Sequence, residues 1–381
     1  MRIIYPYPMR ISNGYTYMLS IIQFLNALAD RVQVDLLSLD SREDIKNYLE
    51  KNLGVQLHAN LNVVQVTNKR FKVKSNKIFF IGNVIKYLET IEQEKIVIYT
   101  RDFKQMRFLI KRARHLFRDV QFIFEAHQIL SQNYYRVGKH RQALEMRKLE
   151  SYVFSNVDKL VCITSTLSSE IRRSFPDCIS DHEILPVGFN KRFLNLMHEG
   201  NRSYDFIYSG NFSEWKGLDI LISAVGIIKQ QYGRNVKGVL IGANKETEEY
   251  YGKKISELDL SDNIEIIPRL EHKKIDAYIA RSKVGVLSNT YAADGLLFTS
   301  PLKLYEYLGA GLKVVVSRLP SIESNIDSTL VYYARPESPQ SFAKVIVAAL
   351  DDSEFCSDKV RKFAENYIWE ERARKFIEFS V

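Results

Sequence analysis

Short apolar runs alternate with stretches of helical period along almost the whole chain, and the alternation restarts once. Strand-like runs lie at Arg2–Tyr5, Val32–Ser38, Leu61–Val66, Ile96–Tyr99, Gln121–Glu125, Lys159–Ile163 and Glu183–Pro186. Helix-period segments separate most of them, including Tyr15–Asp30, where Leu19, Ile22, Leu25 and Leu28 share one face, Phe103–Phe117 and Lys139–Ser155. Strands that alternate with helices pair in parallel through right-handed crossovers. The segment Pro186–Ser203 (PVGFNKRFLNLMHEGNRS) then breaks the rhythm, polar and aperiodic like a linker. Strands resume near Asp205–Ser209, Gly238–Ile241, Asn263–Ile267, Val284–Ser288, Lys313–Val316 and Leu330–Tyr333. Helices are expected near Gly217–Gln231, Glu246–Glu257, Lys273–Arg281, Pro301–Leu308, Pro339–Leu350 and Ser357–Phe379. The expected architecture is α/β, with two doubly wound domains over 1–190 and 191–365. At 381 residues the chain suits two such domains. Ligands in these sheets bind outside the carboxyl ends of the strands, and two such edges can face each other across a cleft.

Several classes are disfavoured. No apolar run approaches the roughly 20 residues of a membrane-spanning helix. The start, MRIIYPYP, lacks the apolar core and cleavage site of a signal peptide and reads as a first core strand. Cys162, Cys178 and Cys356 show no metal-ligand spacing, which suits reduced cysteines in a cytoplasmic protein. No carboxylate cluster suggests a metal cage and no G-x-S-x-G is present, so neither a metal nor another cofactor is expected.

The net charge of +9 is unevenly placed. Residues 1–190 hold 28 Lys+Arg against 19 Asp+Glu, whereas 191–381 hold 26 of each. The excess concentrates in Lys69–Lys77 and Arg101–Arg118. A solvated surface is one reading. Attraction to an anionic membrane face or anionic acceptor is the other. Nucleic acid is disfavoured, because no recognition motif accompanies the charge.

Four strand-end loops carry candidate chemistry. Asn13-Gly14 follows the first strand; a glycine there lets backbone N–H groups approach a phosphate, although a plain turn explains it too. In FIFEAHQ, Glu125 ends a strand and His127 lies just beyond, placed to donate, accept or move a proton, with a structural histidine as the alternative. In YSGNFSEWKGLDIL, a strand enters Gly210 and Asn211, and Lys216 precedes a helix start, where charge and dipole act together on an anion. The fourth runs from Asp294 to Glu306. Within it, SPLKLYEYLGAGLKVVVS reads as a helix capped by Ser300 with Pro301 in its first turn, then a glycine turn and a buried strand. Ser300, Leu302 and Lys303 lie at that helix start. Glu306 is an acid inside apolar packing, suited to accepting hydrogen bonds from ribose hydroxyls. Together these loops read as a nucleotide-diphosphate site.

The same segments resemble family 4 (group 1) glycosyltransferases of the GT-B fold, with two Rossmann-like domains. The likeness rests on GNFSEWKGLDILISAV, NIEIIPRLEHKKIDAYIARSKVGVLSN and SPLKLYEYLGAGLKVVVS in the second half, and on FIFEAHQIL, VCITSTLSSEI and ILPVGFN in the first. FAENYIWEERARKFIEF resembles the family's terminal helix, so 366–381 is expected to cross back onto the first domain. The resemblance implies metal-independent, retaining transfer from a nucleotide-diphosphate sugar, with UDP favoured. The acceptor would be a glycan or lipid-linked hydroxyl in cell-surface polysaccharide or glycoconjugate synthesis, and the basic first half predicts peripheral attachment to the inner membrane face. By the same resemblance Lys216 stabilises the leaving diphosphate, Glu306 holds the ribose, His127 contacts the transferred sugar, and Gly14 lies near the phosphates. Two positions depart from the pattern. Asn211 stands where an Arg is usual, and Phe298 where the first Glu of E-x7-E is usual. A nucleotide-binding module without transfer chemistry, or a sugar-nucleotide epimerase, therefore remains open.

Overall fold

A computed structural model describes every residue except 12–15, 67–76, 92–94, 118, 199, 201 and 292–299. Gly14, Asp294, Phe298 and most of the Lys69–Lys77 run thus lie outside the described residues. The chain forms two compact units, Met1–Val187 with Trp369–Val381, and Gly188–Ile368.

The first unit holds β1 (Arg2–Tyr7), α1 (Thr16–Leu28), β2 (Gln33–Ser38), α2 (Arg42–Leu53), β3 (Leu61–Gln65), α3 (Lys77–Leu88), β4 (Ile96–Thr100), α4 (Phe103–Ala113), β5 (Val120–Ala126), α5 (Leu130–Arg136), α6 (His140–Phe154), β6 (Lys159–Cys162), α7 (Ser165–Ser174) and β7 (Asp181–Ile184). Its strands pair in parallel in the order β3-β2-β1-β4-β5-β6-β7. The order reverses between β1 and β4, which makes that junction the switch point where doubly wound sheets bind ligands. β1 runs two residues beyond the expected Tyr5, through Pro6. Proline is tolerated there because β4 pairs only with Arg2–Ile4, so Pro6 faces β2 alone.

The second unit holds β8 (Tyr204–Ser209), α8 (Leu218–Tyr232), β9 (Gly238–Ala243), α9 (Lys245–Glu257), β10 (Ile264–Pro268), α10 (His272–Ala280), β11 (Ser282–Leu287), α11 (Leu302–Gly309), β12 (Lys313–Ser317), α12 (Pro320–Glu323), β13 (Tyr332–Ala334), α13 (Pro339–Asp351) and α14 (Ser357–Ala364). The parallel order β10-β9-β8-β11-β12-β13 puts its switch point between β8 and β11. Strands such as β12 are buried along nearly their full length, as expected for sheets covered by helices on both faces.

Two expectations are corrected. The segment after Pro186 holds the division between the units, at Val187/Gly188, but it is not loop throughout. Phe189 and Phe193 are fully buried in the second unit's core, and Lys191–Asn195 forms a short 3-10 helix. Nor is Ser357–Phe379 one helix. A 3-10 turn at Glu365–Tyr367 and extended backbone at Ile368 interrupt it, before α15 (Trp369–Ser380) begins in the first unit. Ile368 bridges to Phe189, whose N–H donates to the Tyr367 carbonyl at 3.0 Å. That pairing overrides a locally helical sequence. Helix α15 completes the first core, where the Phe376 ring sits 4.6 Å from Tyr99 and 5.6 Å from Phe24.

Candidate active site

In the second unit, backbone geometry brings the strand ends together. The Gly210 N–H donates to the Ile241 carbonyl at 2.9 Å. Lys216 closes a 3-10 turn (Glu214–Lys216), and Gly217, at φ 65°, starts α8 with no side-chain cap among the described residues. A Cβ at Gly217 would lie 2.0 Å from the Ser288 carbonyl, so only glycine lets this loop touch the end of β11. The Ser288 hydroxyl donates to the Lys216 carbonyl at 3.0 Å, and the Thr290 N–H to the Trp215 carbonyl at 3.0 Å. Lys216 is thereby fixed at the switch point, beside the positive end of α8.

The Lys216 ammonium lies 3.7 Å from the centroid of the Trp215 ring. Among the described residues no carboxylate lies within ion-pair distance of it. Burial, aided by the charge of Lys303, pulls its pKa down to about 8. A cation held this way has an unmet demand for an anion. Asn211 is exposed; its side-chain oxygen accepts from the Ser213 hydroxyl at 2.6 Å and its carbonyl from Tyr208 at 2.6 Å. It supplies no cation where the resemblance expects Arg.

Glu306 is buried, as expected, but its charge is met inside the protein. The His272 Nε2 lies 3.0 Å from Oε1, and the Lys303 ammonium 2.6 Å from Oε2. Burial alone would raise the carboxyl pKa; Lys303 and His272 outweigh it and hold the group at about 2. An Arg192 guanidinium nitrogen lies 2.6 Å from His272 Nδ1, and Arg192 also pairs with Asp276 at 2.9 Å. A guanidinium only donates, so Nδ1 is the acceptor and the imidazole proton sits on Nε2, pointing at Glu306. Burial and then Lys303 lower the His272 pKa, which agrees with a neutral ring. The next residue, Tyr307, receives the Ser209 N–H on its phenol oxygen at 2.9 Å and ties α11 to the end of β8.

The helix start differs from expectation. Helix α11 begins at Leu302 and Pro301 occupies the cap position in extended backbone, so Ser300 lies outside the helix and does not cap it. Leu302 packs against the second core, and Lys303 points to Glu306 and His272.

In the first unit, Glu125 and His127 stand at the end of β5 and point to the same side, as alternate residues of a strand do. Glu125 is buried. Its Oε1 lies 2.5 Å from His127 Nε2, 3.3 Å from Arg101 and 3.2 Å from Arg372. Burial pushes its pKa up, but Arg372 and His127 outweigh this and keep it low, so the group is an anion. An anion only accepts, so His127 donates from Nε2 and keeps Nδ1 as an acceptor. Burial, then Arg101, holds the His127 pKa down and its ring neutral, with Glu125 opposing.

Sequence reasoning missed His272, Arg192, Arg101 and Arg372. His272 opens the helix after β10 and Arg101 directly follows β4, both strand-end positions of the kind that flagged His127. Arg192 and Arg372 carried no such signal. Asn289, buried beside Ser288, was also missed; its amide has no hydrogen-bond partner among the described residues. Part of the Arg101–Arg118 charge is used internally, since Arg101 faces Glu125 and Arg114 pairs with Asp158 at 3.1 Å. Among the described residues no helix is long and apolar enough to cross a membrane.

Residues 198–367, most of the second unit, match the sequence profile of glycosyl transferases group 1. The matched stretch, less than half of the chain, carries Lys216, His272, Lys303 and Glu306. A curated relative, the amylovoran biosynthesis glycosyltransferase AmsK of Erwinia amylovora, is 27% identical over 171 residues, which cover 45% of this chain and 41% of that protein. The chain thus matches less than half the length of that relative. Over the full chain the fold is GT-B. Sucrose-phosphate synthase from Thermosynechococcus elongatus superposes with a TM-score of 0.74 at 14% identity, covering 100% of this chain and 98% of that one. Anabaena Alr3699/HepE, solved in complex with UDP and glucose, gives 0.69 at 16% identity, covering 100% and 99%.

Proposed function

We propose that this protein is a retaining glycosyltransferase that moves a sugar from a nucleotide-diphosphate sugar to a hydroxyl of a glycan or lipid-linked acceptor. The observation that carries this reading is Lys216, a half-buried ammonium with no acidic partner among the described residues, beside the start of α8 at the switch point. A diphosphate meets that demand. Charge grows on the diphosphate as the bond from the anomeric carbon breaks and its electron pair departs with the phosphate oxygen. A positioned cation and helix-start N–H groups lower that barrier. The acceptor oxygen bonds the anomeric carbon on the same face, and its proton passes to the departing diphosphate.

Glu306 is the proposed ribose acceptor. Its oxygens each hold one donor and keep lone pairs for ribose hydroxyls. The lone pair on His127 Nδ1 accepts a hydrogen bond from a hydroxyl of the transferred sugar. Gly14, Gly210, Asp294, Ser300 and Leu302 complete the proposed donor set, which needs no metal ion. UDP is the favoured nucleotide, supported by the UDP complexes of HepE. The proposed setting is synthesis of a surface polysaccharide at the cytoplasmic face of a membrane; the likeness to an amylovoran biosynthesis glycosyltransferase supports the synthetic role.

The test is transfer from a panel of nucleotide sugars, with donor hydrolysis as a second readout. Lys216→Ala and Glu306→Ala should each lose most of the activity while remaining folded. Full activity in both variants would overturn the site. Asn211 favours a second reading, a nucleotide-binding module without turnover. Tight UDP binding with no product across the panel would select it.

A further inference from the structure

We propose that the turn joining α5 to α6 is the surface by which this protein rests on an anionic lipid bilayer. Tyr135, Val137 and Leu144 are 65%, 54% and 67% exposed. Scattered apolar side chains on a surface need no explanation, but these three fall within ten residues of one turn. Arg136, Lys139, Arg141 and Lys148 are exposed along the same stretch, Arg141 lying 3.4 Å from Glu145, the only acid in 135–148, whereas Arg147 is turned onto the Phe175 ring. Apolar side chains among Lys and Arg are the composition of a segment that lies in the headgroup region. The charge selects an anionic bilayer over an acidic or neutral protein groove, because the apolar residues protrude instead of lining a concavity.

The turn is held in shape. Gly138 adopts φ 74°, and the Lys139 N–H returns to the Tyr134 carbonyl at 2.9 Å. The His140 ring packs edge-on against Tyr135 with centroids 4.8 Å apart. At the base of the hairpin the Ser131 N–H donates to the buried Glu150 carboxylate at 3.2 Å. On α6, Ala143, Leu149, Val153 and Phe154 face the core, so Leu144 has no packing role there.

Topology places the turn on a useful edge. Helix α5 starts just after His127, and α6 runs back toward the start of β6, so the turn lies on the carboxyl-end side of the sheet. Another exposed basic and apolar stretch, around Arg112 and Leu116, precedes β5 and lies at the opposite edge. Seven residues of α5 span about 10 Å, which keeps His127 close to a bilayer on which the turn rests. The benefit to a lipid-linked acceptor rests on the transfer reading; the bilayer contact does not.

Flotation of the full chain with phosphatidylcholine vesicles, with or without phosphatidylglycerol, tests this without any donor sugar. The protein should float with anionic vesicles only and be released by salt. Lys139→Gln and Arg141→Gln should each weaken binding about fivefold, and Val137→Ser with Leu144→Ser should weaken it further. Arg112→Gln should bind like the parent. All these side chains are exposed, so an unchanged melting temperature confirms that each variant folds. Three results overturn the proposal: equal binding to neutral vesicles, turn variants that bind like the parent, or a concentration-dependent dimer abolished by the turn variants. None of them bears on the transfer assay.

Discussion

Replacing Glu306 with Gln should destabilise the second unit at neutral pH, and the loss should fade in acid. The carboxyl falls from an ordinary 4.5 to about 2 in the fold, because Lys303 and His272 outweigh the effect of burial. At about 1.4 kcal/mol per pH unit, that depression corresponds to about 3 kcal/mol of stability. The sign follows from linkage. The folded pKa is lower than the unfolded one, so the stabilisation is complete above about pH 5 and is lost as pH falls toward 2. In a unit of this size, about 3 kcal/mol lowers the melting temperature by roughly 6–12 °C. Thermal melts of the parent and Glu306→Gln, followed by circular dichroism from neutral to acid pH, read the difference directly. The gap should be largest near neutrality and should close on acidification. His272 should also titrate closer to its ordinary value in the variant only if Lys303 no longer crowds it. A gap below about 2 °C at neutral pH, or one that stays constant through the acid range, would show that the Lys303–Glu306–His272 cluster does not fix the carboxylate as argued.

Three further outcomes follow from the other charged groups. Lys216 loses its proton near pH 8, so UDP affinity measured by calorimetry should decline as pH rises through that value, whereas Lys216→Arg should stay flat; parallel profiles would remove Lys216 from the phosphate contact. Arg372→Gln should cost about 3 kcal/mol, because it strips a buried carboxylate of one cation. It should also raise the His127 pKa, read by histidine NMR, since the ring loses a nearby positive charge; an unshifted His127 in a folded variant would refute the coupling.

The strands, their alternation with helices and the restart after the break were legible in the residues alone. Those features are local. An apolar run covered on both faces, or a stripe of helical period, writes its environment into neighbouring residues. Strand ends then pointed to Glu125, His127, Lys216 and Glu306, since doubly wound sheets expose those ends to ligands. What meets the charge of each residue was decided only in three dimensions. Glu306 found His272 from the helix after β10, and Glu125 found Arg372 from a helix that follows the whole second unit. Ser300 failed as a cap because Pro301 holds the extended cap position itself. The expected long terminal helix broke because Ile368 pairs with Phe189. Periodicity records which face of an element is buried. It does not record which distant side chain is packed against that face, and the pKa values of this site depend on that choice.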